Sequence, residues 1–131
     1  MGRTLAAAPT YFAIVFSLAF ALGIARTLVV APMTGDVVAV LIETPIVLLT
    51  AWLAARWSAR RFSVPPHALP RLVMGLTAFT LLMTVETALG VALFARPLSQ
   101  QFAAFSTLSG GIGLLAQVAF GVIPLLAARF R

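Results

Sequence analysis

The chain has 131 residues, of which 62% are hydrophobic and 9% are charged, with a net charge of +6 and a mean hydropathy of +1.10. Soluble domains contain roughly 45–50% apolar and about 25% charged residues, and a fold of this size has no interior large enough to hide such an apolar excess. The composition therefore excludes soluble folds and disordered chains, and it predicts an integral membrane protein.

Four apolar segments are long enough to be transmembrane helices, since crossing the hydrocarbon core takes about 20 residues. We predict one transmembrane domain over residues 1–131. Its four spans are predicted at about residues 6–28, 37–57, 71–95 and 102–128. The first segment follows Arg3 and also has the pattern of a cleavable signal peptide, but we expect it to be a retained span.

Three short connections separate the predicted spans, at residues 31–36, 63–70 and 96–101. Asp36 is expected to be the N-cap of the second helix, because its carboxylate can accept from the free N–H groups of the first turn. Short connections make consecutive helices antiparallel neighbours. The predicted fold class is therefore all-α, an up-down antiparallel four-helix bundle in a membrane.

The arginines predict the orientation of this bundle, because positively charged residues concentrate on the cytoplasmic side of a membrane. The chain has nine arginines and no lysine. Seven of them flank one side of the predicted bundle: Arg3, Arg56, Arg60, Arg61, Arg71, Arg129 and Arg131. The other two, Arg26 and Arg96, flank the opposite side. Both termini are therefore expected in the cytoplasm, and a bacterial inner membrane is the expected location.

Glu43 and Glu86 lie inside predicted spans, where an ionised side chain costs roughly 2.5–3.5 kcal/mol and is a functional candidate by default. Both are expected in the outer half of the bilayer, at the level where Arg26 ends the first span. We expect Arg26 to hydrogen-bond to one carboxylate, the other to exchange a proton, and all three side chains to converge in the bundle interior. Two interpretations remain open: a binding site for a proton, cation or small ligand, and a structural clasp between helices.

Three further features are candidates for a role near this cluster or at the cytoplasmic interface. Gln117 lies in a stripe of small and polar residues on the fourth span, which is either a packing face or the lining of a cavity shared with the glutamates. Pro45 is expected to kink the second helix beside Glu43. Four arginines are candidates for binding anionic lipid headgroups, although their role in topology also accounts for them: Arg56, Arg60, Arg61 and Arg71.

The sequence lacks the residue sets on which most membrane enzymes depend. It has no cysteine and a single histidine, His67, which excludes thiol chemistry, paired-histidine haem ligation and His-rich metal sites. No nucleophile–base pair is visible, so we expect a non-enzymatic protein with no catalytic residues, no metal and no cofactor. Bound lipid is compatible with this expectation. Because the arginines end apolar runs, we expect membrane lipids as partners and no nucleic acid.

Two functions of different classes fit these observations. One is a transporter or a protein that binds an ion, a proton or a small ligand, expected as a homo-oligomer because four helices leave little room for a pathway. The alternative is an accessory or assembly subunit that docks its helices against a larger membrane protein complex, with the charged cluster as a clasp.

Overall fold

A computed structural model describes residues 2–93 and 95–129 of the chain, so Arg131, which contributes to the predicted orientation, lies outside the described residues. The described residues form five helices and no strand, with bounds as follows: α1 Gly2–Thr34, α2 Asp36–Arg61, α3 Ala68–Ala92, α4 Leu98–Ala104 and α5 Leu108–Ala127. Four of them, α1, α2, α3 and α5, are long and apolar enough to cross a membrane. The predicted all-helical class and the presence of four apolar helices of membrane-spanning length are confirmed for the described residues.

The end of α1 differs from the predicted connection. A π-helical turn, Arg26–Val30, is followed by a last α-helical turn, Ala31–Thr34. Pro32 explains the wide turn, because it has no N–H for the carbonyl four residues before it. The predicted turn at residues 31–36 is therefore wrong, and the chain reverses at Gly35, whose φ of 89° suits glycine.

Asp36 is the first residue of α2 rather than its N-cap. The N-cap position belongs to Gly35, and no side chain caps this helix end. The predicted capping role of Asp36 is wrong because Gly35, the residue with a positive φ at which the chain reverses, occupies the N-cap position. Its carboxylate still lies in the first turn, where the helix dipole favours a negative charge.

The predicted fourth span, 102–128, is wrong at its N-terminal end. Residues 98–104 form the separate helix α4, and a turn at 105–107 divides it from α5. Thr107 causes the new start, because its Oγ1 accepts a hydrogen bond from the Gly110 N–H at 3.0 Å. An N-cap of this kind is worth about 1 kcal/mol to a helix end.

The packing order of the long helices also differs from the prediction. Both α1 and α5 pack against α2 and α3, whereas no comparable packing joins α2 to α3 within residues 2–93. The expectation that consecutive helices are neighbours is therefore wrong for α2 and α3. Six residues, 62–67, can span at most about 20 Å at roughly 3.3 Å per residue, so even a partly folded connection can join opposite members of a bundle whose neighbours are about 8–10 Å apart.

The buried core lies towards the end of the bundle that contains the start of α1 and the end of α5. Its cluster of buried residues includes seven alanines, which let the helices approach closely: Ala7, Ala8, Ala51, Ala54, Ala55, Ala59 and Ala78. One close approach is between α3 and α5. A Cβ added to Gly75 would overlap the carbonyl oxygen of Gly121, so this crossing requires glycine at position 75.

A proline inside α5 generates the main polar contact of the core. Pro124 has no N–H, so the carbonyl of Phe120 loses its usual helical donor. The hydroxyl of Tyr11 in α1 donates to this carbonyl at 2.6 Å. The Tyr11 and Phe120 rings also stack, with centroids 4.5 Å apart. Arg71 in α3 donates through Nη1 to the Pro124 carbonyl at 3.3 Å, one of the last-turn carbonyls that lack a helical partner.

The crossing of α3 and α5 predicts that alanine substitutions at two glycines have very different effects on stability. Gly75→Ala should lower the free energy of unfolding by about 1–3 kcal/mol, since backbone rather than a flexible side chain blocks the new methyl group. The matched control is Gly113→Ala in α5, where a Cβ meets no atom within 4 Å. Melting temperatures in detergent should fall for the first variant and stay level or rise for the second. Equal effects would contradict the crossing.

The Tyr11 hydrogen bond predicts an energetic coupling that a double-mutant cycle measures. Tyr11→Phe should cost about 1–3 kcal/mol, because it leaves a buried carbonyl without a donor. In a Pro124→Ala background the carbonyl of Phe120 regains a helical N–H, so the same change should cost much less. Additive losses in chemical denaturation would show that the hydroxyl does not replace the donor that Pro124 lacks.

Candidate functional site

The candidate site lies at the end of the bundle opposite the core, where the long helices bury few side chains. Glu43 is about 10 Å from the start of α2, and Glu86 is about 9 Å from the end of α3, at 1.5 Å per residue. Both carboxylates therefore lie at a similar level along their helices. Arg26 begins the π-helical turn of α1, and α1 packs against both helices that carry the glutamates.

Arg26 and Glu43 form a direct ion pair. The guanidinium Nε donates to Glu43 Oε2 at 2.6 Å, a short distance that is typical of charge-assisted hydrogen bonds. The side chains are 34% and 18% exposed, respectively. The expected hydrogen bond from Arg26 to one carboxylate is therefore present, and it joins α1 to α2. The pair is neutral as a unit.

Glu86 has a different direct partner. The Nε2 group of Gln117 in α5 donates to Glu86 Oε2, so the fourth predicted site residue contacts the second glutamate. The other amide atom, Gln117 Oε1, is buried and has no hydrogen-bond partner among the described residues. The positive charges of Arg26 and Arg96 also act on the Glu86 carboxylate. The site thus spans α1, α2, α3 and α5.

Glu86 does not lie in the bundle interior. Its side chain is exposed on the isolated chain, whereas Glu43 is partly buried. The expectation that Arg26 and both carboxylates converge inside the bundle is therefore wrong for Glu86. The Glu86 carboxylate instead contacts Gln117 of α5 from an exposed position of α3.

Arg96 and Gln101 belong to the surroundings of the site, a role that no pattern in the sequence predicts. The Nε2 of Gln101 donates to the Arg96 carbonyl at 3.0 Å and to the Thr87 carbonyl at 3.4 Å. Its amide also lies against Gly90, where a Cβ would not fit without a shift. These contacts hold α4 and the 95–97 connection against the end of α3. The sequence offers only a weak signal for Gln101, because a single glutamine in a polar connection has no characteristic spacing.

The remaining predicted residues lie elsewhere. Pro45 is exposed within the continuous helix α2, and the kink predicted there stays a prediction. Three of the arginines proposed for lipid headgroups line one groove near the α2–α3 connection: Arg56, Arg60 and Arg71. Arg61 instead lies over the ring of Phe62, 5.6 Å from its centroid.

The described side chains have no constellation of three or more His, Cys, Asp or Glu residues that could hold a metal ion. The candidate site instead offers two carboxylates, one amide and one guanidinium. Carboxylates in such surroundings can exchange protons, and carboxylate and amide oxygens can coordinate a small cation.

Four helices of membrane-spanning length and composition indicate an all-helical membrane protein. No family model, curated protein or solved structure matches the chain.

The ion pair predicts an energetic coupling between Arg26 and Glu43, which a second double-mutant cycle measures. Arg26→Gln should lower the free energy of unfolding by about 1–3 kcal/mol, between the values for exposed and buried pairs, because it leaves Glu43 without its cation. Adding Glu43→Gln should recover most of that loss, since the remaining amides can hydrogen-bond to each other. The check is thermal unfolding of the two single variants and the double variant. A double variant that is less stable than either single one would contradict a paired charge.

Proposed function

We propose that this chain is a small, non-enzymatic integral membrane protein that binds a proton or a small cation at Glu86 and transports it. The observation that supports this assignment is the difference between the two glutamates. Glu43 is paired with the guanidinium of Arg26 at 2.6 Å, whereas the direct partner of Glu86 is the neutral amide of Gln117.

Charge balance favours Glu86 as the exchanging group. A proton or cation that binds to Glu43 must compete with a bonded guanidinium, whereas one that binds to Glu86 displaces only a neutral donor. The amide of Gln117 that donates to Glu86 also has a buried oxygen, Oε1, with no partner among the described residues. Carboxylate and amide oxygens are ligands that hard cations prefer. Carboxylates inside spans commonly mark ion and proton pathways.

The exposure of Glu86 supports a homo-oligomer as the working form. A carboxylate that faces lipid costs roughly 2.5–3.5 kcal/mol on insertion scales, and a second protein surface removes that cost. In a two-fold dimer the same patch meets its own copy, which would bring two Glu86 side chains to one interface. A pathway between chains also avoids the limited room inside one bundle of four helices.

We further propose that the four spans alternate in direction, with both termini in the cytoplasm of a bacterial cell. The support is the distribution of arginines, since seven of nine flank the side with the two termini. Under this orientation Glu43 and Glu86 lie in the outer half of the inner membrane, and the arginine-lined groove lies at the cytoplasmic surface.

The same exposed carboxylate also favours the second candidate function. An accessory subunit would cover Glu86 with a helix of a larger membrane complex, and a basic side chain on that helix would pair with it. The Arg26–Glu43 pair would then be a structural clasp. The oligomeric state distinguishes the two candidates, because a self-assembled particle supports transport and a fixed foreign partner supports the subunit.

The transport proposal predicts flux that depends on Glu86. Purified protein in liposomes with a trapped pH-sensitive dye should respond to an imposed potential faster than empty liposomes do. Glu86→Gln should reduce the rate at least tenfold, to near that of empty liposomes, while melting at a similar temperature. Thr84→Val, at an exposed position of the same helix, is the matched control and should keep most of the rate. Repeating the assay with a sodium gradient separates proton from cation transport.

Two results would contradict the proposal. One is equal flux through the parent chain and Glu86→Gln, and the other is no flux of either ion through a correctly inserted protein. Orientation can be measured with Thr34→Cys and an impermeant thiol reagent, since the chain has no native cysteine. Absence of flux together with a co-purifying membrane protein would favour the accessory subunit.

A further inference from the structure

A groove of about 360 Å³ lies beside the α2–α3 connection, at the end of the molecule remote from Glu43 and Glu86. Its charged lining residues are three arginines, two from α2 and one from α3: Arg56, Arg60 and Arg71. The chain contains three acidic residues, and all of them are near the other end. Glu43, the acidic residue of α2 nearest in sequence, is about 20 Å along that helix from Arg56, at 1.5 Å per residue. The groove is therefore positively charged, because no acidic side chain among the described residues is close enough to neutralise its arginines.

The wall of the groove is a structured turn. The N–H of Val64 donates to the Ala59 carbonyl at 2.8 Å, and the N–H of Ser63 donates to the Arg60 carbonyl at 3.2 Å. Ser63 has a φ of 54°. This pair of bonds with a left-handed residue is the Schellman arrangement that ends many helices. Val64 is buried in the core, so the connection is anchored and the groove is formed before any ligand binds.

Arg71 places a positive charge in the floor of the groove. Its side chain is 7% exposed, and it donates to the carbonyls of Pro65 and Pro124, each at 3.3 Å. Arg60 is exposed and Arg56 is partly exposed, so both can turn towards a ligand. Guanidinium groups bind phosphate oxygens in bidentate geometry. A phosphate group therefore fits the charge and the donors of the groove.

A second groove of about 360 Å³ adjoins the first and shares Pro66 with it. Its lining is largely apolar and includes Leu125, Leu126 and Ala68, and Arg129 is its one charged lining residue. A basic groove that continues into an apolar one matches an amphiphile with a phosphate headgroup and an acyl chain. Free inorganic phosphate would use the first groove and leave the second without a function.

We propose that the two adjoining grooves form a binding site for one anionic phospholipid, with its phosphate on Arg56 and Arg60 above Arg71. The acyl chain beside the headgroup lies along Leu125 and Leu126. The site is separate from the charged cluster of Arg26, Glu43 and Glu86, and it does not depend on transport. It selects lipids by headgroup charge, because a zwitterionic headgroup adds a cation beside the three arginines.

The test is native mass spectrometry of the full chain with phosphatidylglycerol or phosphatidylcholine. The chain should retain phosphatidylglycerol at least tenfold more strongly than phosphatidylcholine. Arg56→Gln/Arg60→Gln should abolish that preference. The matched control is Arg3→Gln/Arg61→Gln, which removes the same charge outside the groove and should change retention less than twofold. Millimolar inorganic phosphate should not displace the lipid.

Three results would overturn the site. These are equal loss in both double variants, equal retention of the two lipids by the parent chain, and displacement of phosphatidylglycerol by inorganic phosphate. The last result would assign the groove to the free anion. Melting temperatures without added lipid show whether the variants are folded. If the double variant does not fold, the single change at the exposed residue, Arg60→Gln, should still lower retention at least threefold, and unchanged retention there would also overturn the site.

Discussion

Pro124 lies where hydrogen bonds join α1 and α3 to α5. In a membrane, each backbone carbonyl needs a donor from within the protein, because lipid offers none. The proline in α5 leaves the carbonyl of Phe120 without its helical donor, and the hydroxyl of Tyr11 replaces that donor at 2.6 Å. The carbonyl of Pro124 is itself bound by Arg71. A single proline is thus at the centre of contacts from α1 and α3, at the level where Gly75 lets α3 and α5 touch.

The concentration of these contacts at one end leaves the other end of the bundle less tightly packed. The buried cluster draws on the first half of α1, the second half of α2 and the first half of α3. Glu43, Glu86 and Arg26 lie beyond it, where their side chains remain partly or fully accessible on the isolated chain. Local opening is easiest where few apolar groups are buried. The end that carries the carboxylates is therefore the end at which the proposed proton or cation would enter without disrupting the core.

The sequence predicted the features that depend on composition and missed those that depend on packing. Hydropathy located four spans, and the scarcity of charge inside them singled out Arg26, Glu43 and Glu86. Hydropathy could not detect the break at 105–107, because Phe105 and the residues around the cap are apolar or small enough to continue a span. It also carries no information about which helices are neighbours, since a short connection can reach across a bundle. The role of Tyr11 was equally hidden, because it requires knowing that Pro124 faces α1.

The chain has nine arginines and no lysine, and its arginines lie in three different surroundings. Its guanidinium presents five donors in a rigid plane and stays charged in every environment. Beside a carboxylate, as in Arg26, it forms a neutral pair within a span. Among carbonyls, as in the buried Arg71, it completes the hydrogen bonding of a helix end. At the groove, Arg56 and Arg60 are partly exposed and exposed, respectively, and they are the arginines proposed to bind an anion. Lysine would satisfy the topology signal equally well, but its ammonium is a compact charge on a flexible stem and does not hold its donors in a rigid plane that matches fixed acceptors. The local acceptors, rather than the charge alone, therefore separate the structural arginines from those proposed to bind a ligand.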